Sequence, residues 1–207
     1  MGAILRNPKL WVFCACLLPL LRLLALGASG GLGANPIEFI TRSTGTWTLV
    51  GLMVTLSVTP LRRLTGRTGI VRYRRMLGLF AFFYACLHFS TYIWLDQFFD
   101  PAAIAKDVVK RPFVTVGFAA FVLLIPLAAT SNHGMMRRLG RRWQLLHRLV
   151  YLVAALGVVH YLWLVKKDLT SPLIYGAVLV LLLAARLPWG VTLLQATRQR
   201  LAAARLN

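Results

Sequence analysis

LFAFFYACLHFSTYIWL, residues 79–95, is an uncharged run with one histidine, His88, inside it. Extended back to Met76 and coiled as a helix, it reaches about 30 Å, the thickness of a bilayer's hydrocarbon core. A second run, YGAVLVLLLAA at 175–185, is equally continuous. Neither alternates polar and apolar residues as a strand of a membrane barrel would. Inside a bilayer no water satisfies backbone N–H and C=O groups, so such runs must close their hydrogen bonds within themselves, as helices.

The rest of the chain repeats this pattern. Of its 207 residues 58% are hydrophobic and only 14% charged, too apolar a balance for a soluble domain. Six stretches have membrane length, near 10–28, 44–60, 76–95, 112–130, 147–165 and 171–190. Turn residues lie between them or at their ends: Gly30-Gly31, Pro36, Pro60, Gly66, Pro101, Pro112 and Pro172. The expectation is an all-α polytopic bundle of six transmembrane helices, a single domain over 1–207. The first segment carries Arg22 in its middle and lacks a clear small-residue cleavage pattern, so it is expected to be retained as a helix.

Charge sets the orientation. The formal net charge of +19 would suit a nucleic-acid partner, but its distribution does not. All five acids, Glu38, Asp96, Asp100, Asp107 and Asp168, fall in the first, third and fifth loops. Arg62, Arg63, Arg67, Arg72, Arg74 and Arg75 fill the second loop, and Arg137, Arg138, Arg141 and Arg142 the fourth. Together with Arg6 and Lys9 at the start and Arg198, Arg200 and Arg205 at the end, they put both termini in the cytoplasm by the positive-inside rule. Most of these arginines need no role beyond anchoring and attraction to anionic membrane lipid. Arg72, Arg74 and Arg75 before the third helix, and Arg141 and Arg142 before the fifth, are also candidates to hold an anionic cofactor group. Cys14, Cys16 and Cys86 all lie inside predicted helices, and no disulfide or zinc motif is supported.

The histidines carry the chemistry. An ionisable ring within a membrane span is a functional candidate, because burying it unpaired costs free energy. His88 lies about 18 Å along a helix that enters from the basic side, and His160 about 20 Å along another that enters from the same side. Two imidazoles at equal depth on different helices are what a six-coordinate b haem requires. An interhelical hydrogen bond is the ordinary alternative for either ring. His147 stands at the basic end of its helix, roughly 140° around an ideal helix from His160, and is a candidate contact for a second haem or other redox group. The aromatic residues near these positions are expected to serve packing and the interfacial belt. Arg22 either snorkels to the nearer interface or pairs with a haem propionate.

MRRLGRRWQLLHRLVYLVAALGVVHYLW (136–163), preceded by RYRRMLGLFAFFYACLHFSTY (72–92), resembles the MsrQ family, the haem-binding membrane subunits of a periplasmic methionine-sulfoxide reductase system. GLGANPIEF (31–39), TRSTG (41–45), RPFVTVG (111–117), Thr130-Ser131 and SPLIY (171–175) extend the likeness nearly end to end. More distantly the bundle is similar to ferric-reductase transmembrane domains. The resemblance implies a bacterial inner-membrane electron carrier with b haem and flavin mononucleotide (FMN), drawing electrons from the quinone pool. It implies a periplasmic molybdopterin partner, MsrP, which reduces methionine sulfoxide in oxidised proteins. It assigns His88, His147 and His160 to haem. One departure is visible: two-haem ferric-reductase bundles carry two spaced histidines on each of two helices, whereas the third helix here has His88 alone. The competing functional accounts are a stand-alone cytochrome b-type ferric or quinone reductase and a proton-coupled transporter.

Overall fold

The computed structural model describes residues 7–203 of the chain, with side chains through residue 200; Arg6 and Arg205 lie outside the described residues. The elements are helical throughout this range: α1 (Pro8–Ala28), α2 (Pro36–Thr65), a 3-10 segment (Thr68–Tyr73), α3 (Arg74–Thr91) continued by a π-turn (Tyr92–Asp96), α4 (Pro101–Lys110), α5 (Pro112–Ala129), α6 (His133–Leu139), α7 (Arg141–His147), α8 (Leu149–Leu164), α9 (Thr170–Ala184) and α10 (Pro188–Ala203). Five described spans are long and apolar enough to cross a membrane, and a sixth exists if the bent pair α9 and α10 counts as one. The architecture is an all-α polytopic bundle.

The ends of these helices follow from local chemistry. Asn7, Asn35, Asp100 and Asn132 accept hydrogen bonds from the first-turn N–H groups of α1, α2, α4 and α6. Prolines open α1, α2, α4 and α5, where no intrahelical donor is missed. Gly66 closes α2 in the left-handed region, φ 72°, with its N–H on Arg62 O at 2.8 Å.

Three boundaries differ from the expected segments. The second, expected at 44–60, is a 30-residue helix. Its polar TRSTG stretch is helical, with the Thr44 hydroxyl, and that of Thr48 just beyond it, satisfied by donating to Ile40 O and Thr44 O at 2.8 and 3.0 Å. Pro60 does not end it either. Proline leaves the carbonyl four residues back without its usual donor, and Arg186 Nη2 reaches across from the end of α9 to supply one to Leu56 O at 2.6 Å. Arg63 returns the contact, donating to Ala185 O at 3.1 Å. The fifth segment, expected at 147–165, starts earlier and is divided at Arg148 into α7 and α8. The sixth, expected at 171–190 as one helix, stops at Ala184 and turns by 85° into α10, because Pro188 cannot donate to the ladder and restricts the residue before it.

The strongest pairings are α2 with α3 and α5 with α8. Lipid offers little hydrophobic drive between helices, so close approach of small residues matters most. Gly51 provides it: a Cβ there would lie 3.0 Å from the Cβ of Ala81. The core forms two clusters, one around Leu52, Ala81, Ala85, Ala120, Leu124 and Val153, the other around Leu49, Met53, Leu56, Ala154 and Leu179. α1 is fastened differently. The Tyr84 hydroxyl of α3 donates to Cys16 O at 2.8 Å and accepts from Leu20 N at 3.2 Å, inserting itself between a carbonyl and an N–H four residues apart on α1. The three cysteines are free.

Candidate functional site

Between the two helix pairs lies a cavity of about 380 Å³. That is the size range of small-molecule and cofactor sites. Its walls are mostly apolar, and His88 from α3 and His160 from α8 both line it. Their ring centroids are 6.1 Å apart, with the ring planes at 76°.

Both rings are oriented by the same device. His88 Nδ1 is 2.9 Å from Thr41 O, and His160 Nδ1 is 2.7 Å from Phe113 O. A carbonyl oxygen only accepts, so in each ring Nδ1 carries the hydrogen, and Nε2 keeps its lone pair. Space for each imidazole comes from a glycine four residues after the accepting carbonyl. A Cβ at Gly45 would lie 3.0 Å from His88 Cε1, and one at Gly117 would lie 2.6 Å from His160 Nδ1. Each histidine also follows its carbonyl by 47 residues. The α2–α3 pair and the α5–α8 pair therefore build two halves of one site on a common plan.

The geometry fits haem on three counts. A metal–imidazole bond is about 2 Å and the ring centroid lies about 1 Å behind its nitrogen, so two rings flanking one metal stand roughly 6 Å apart. Nδ1–H donated to a backbone carbonyl is the usual way a ligating histidine is held and made more basic. No group of three or more His, Cys, Asp or Glu residues capable of holding a metal occurs among the described residues. Two imidazoles in an apolar cavity suit a metal that brings its own equatorial ligands, as haem iron does.

Residues 42–158 match the family model described as ferric reductase like transmembrane component. A protein-methionine-sulfoxide reductase heme-binding subunit MsrQ from Herminiimonas arsenicoxydans is 59% identical over 184 residues, covering 87% of this chain and 84% of that one. The chain belongs to the MsrQ family. MsrQ proteins from Ralstonia nicotianae and Rhodospirillum rubrum are 57% and 58% identical, covering 89% and 88% of this chain and 87% and 88% of their own. No solved structure matches the chain.

The remaining residues singled out from the sequence of this MsrQ family member lie away from the cavity. His147 is not in its lining. It stacks on Trp143, centroids 3.9 Å apart, and its Nε2 is 3.0 Å from Thr130 Oγ1. Trp143 Nε1 donates to Thr130 O at 2.9 Å, so the three residues latch the end of α5 to α7. Arg22 is exposed on α1. Arg72 lies over its neighbour Tyr73 and donates to its hydroxyl at 2.6 Å. Arg75, Arg141 and Arg142 are exposed. Arg74 is half-buried and within electrostatic reach of His147 and Arg186. None of these six arginines lines the cavity.

The arginines that do line it are Arg42 and Arg111, at the end carrying the acidic loops, together with Tyr92 and Asp96. In the sequence alone each has an acid four residues before it, Glu38 or Asp107, and has the look of a surface ion pair. The available signal was position: each stands within six residues before Gly45 or Gly117, on the same turns that receive the histidines.

Proposed function

We propose that this chain is a haem-binding membrane subunit that carries electrons from the quinone pool to MsrP, a periplasmic molybdopterin methionine-sulfoxide reductase. The observation that carries this reading is the pair His88 and His160, 6.1 Å apart, with both Nδ1 atoms committed to carbonyls. In our reading His88 and His160 are the residues that would hold the iron of one b haem. When bound, that group supplies a one-electron couple. The chain's own part is to hold the two rings, exclude water with apolar walls, and set the iron's surroundings through the Thr41 and Phe113 carbonyls.

The positive-inside distribution supports six crossings of the bacterial inner membrane by a single domain over 1–207, with both termini, the second loop and the fourth loop in the cytoplasm. α9 and α10 would then count as the sixth crossing. The cavity's arginine-bearing end faces the periplasm in this orientation, which suits delivery to a periplasmic acceptor. Sulfoxide chemistry belongs to the partner. His147, already held by Thr130 and Trp143, is assigned a structural role. The family resemblance also implies FMN. The half-buried Arg74 and Arg63, each within electrostatic reach of Arg186, offer the cationic surroundings its phosphate would need at the opposite, basic end.

The test is a reconstitution. Membranes containing this chain, a quinol and MsrP should reduce methionine sulfoxide, and the purified chain should give a reduced-minus-oxidised b-type spectrum. Sulfoxide reduction that proceeds equally well without the chain would overturn the partner assignment, and a purified chain with no b-type signal would overturn the haem assignment.

A further inference from the structure

The cavity carries charged side chains at one end only, and that end is built from separate helices. Arg42 comes from the first turns of α2, Tyr92 from the π-turn after α3, and Arg111 from the residue before α5. Each guanidinium makes one ion pair along its own chain: Arg42 Nη2 with Glu38 Oε1 at 2.6 Å, and Arg111 Nη1 with Asp107 Oδ2 at 3.2 Å. A guanidinium has five N–H donors, so each keeps donors to spare. The Tyr92 hydroxyl is buried and makes no well-formed hydrogen bond, the Asp107 carboxylate being the acceptor beside it. A buried hydroxyl so incompletely paired is open to completion by a ligand. Asp96 also lines this end, its Oδ2 taken by Gln97 Nε2 at 3.3 Å.

We propose that Arg42 and Arg111 form a carboxylate clamp for the two propionates of haem, with the Tyr92 hydroxyl as a third donor. This rests on the haem reading above and adds to it the direction in which the macrocycle is inserted. A porphyrin is apolar over most of its edge and anionic along the propionate edge. Apolar walls with two arginines and an incompletely paired hydroxyl at one end match that asymmetry in one orientation only. The propionate edge then points toward the acidic-loop end, and the six arginines singled out from the sequence take no part in holding it. Asp96 opposes the clamp by like-charge repulsion, so its effect has the opposite sign.

The experiment compares haem with haem dimethyl ester, which has the same iron and ring but no carboxylates. The full chain, produced under haem limitation, is titrated with each, and the ratio of the two affinities is measured for the unsubstituted chain, R42Q, R111Q and the double variant. The unsubstituted chain should prefer haem, and each substitution should reduce that preference about two- to fivefold, the size of an exposed ion pair, while leaving ester affinity unchanged. The midpoint potential of the haem-loaded variants should fall, and that of D96N should rise. Should the double variant take up neither compound, the single variants decide by the same ratio, since both side chains are more than half exposed. A preference that is absent in the unsubstituted chain, or that survives both substitutions, overturns the clamp. A chain giving no b-type spectrum with either compound overturns the haem reading itself.

Discussion

Two histidine sites at opposite ends of the same bundle have been put to different uses. At the acidic-loop end His88 and His160 spend only Nδ1 on the protein, and both line a cavity opened by glycines. At the basic end His147 spends Nε2 on Thr130 and its ring face on Trp143, outside the lining of that cavity. On the proposed assignment, a ligating ring differs from a latch in which nitrogen is left over and in whether the ring borders the cavity.

The contrast breaks most directly at the histidines. His88→Ala or His160→Ala should lower bound haem per chain about tenfold or more, because metal affinity already falls by that much when outer partners of a ligand are lost. His147→Ala should keep the b-type spectrum. A His147 variant as devoid of haem as the other two would erase the distinction. Gly117→Ala comes next. A methyl group 2.6 Å from His160 Nδ1 must displace the ring from Phe113 O, and haem occupancy should drop several-fold, more than in Gly45→Ala, where the nearest ring atom is 3.0 Å away. Pyridine-haemochrome stoichiometry orders the two, and the reverse order would mean that the α2–α3 half holds its histidine more rigidly. Thr130→Val removes the hydroxyl beside His147 and should cost about 1 kcal/mol in a denaturation midpoint while leaving the haem spectrum unchanged. Tyr84→Phe should be the mildest change, roughly 0.6 kcal/mol, the average of hydrogen bonds between membrane helices. A spectral shift from either of these last two would show that the latch and the site are coupled.

Much of this was legible in the sequence. Uncharged runs of membrane length give the helices, because the bilayer leaves the backbone no alternative. The equal depths of His88 and His160 follow from helix rise alone. What escaped was whatever depends on contacts between segments. Pro60 reads as a stop, yet α2 runs through it because a donor arrives from Arg186, distant in sequence. The 85° turn after Ala184 is hidden in a run that is apolar on both sides of Pro188. Arg42 and Arg111 look like ordinary surface charges until the fold brings them to one cavity. The paired plan, a carbonyl, a glycine four residues on and a histidine 47 residues after the carbonyl, was present in the spacing. It becomes readable only once the carbonyls are known to be acceptors.

Every residue lining the central cavity lies between Thr41 and Val165, and the family match spans nearly the same interval, 42–158. α1, attached by the Tyr84 hydroxyl, and α9 and α10, braced by Arg63 and Arg186, therefore stand outside the site as supports. The inner four-helix unit is the smallest part of the chain that encloses the cavity, and a change confined to the outer helices reaches it through side-chain contacts such as these.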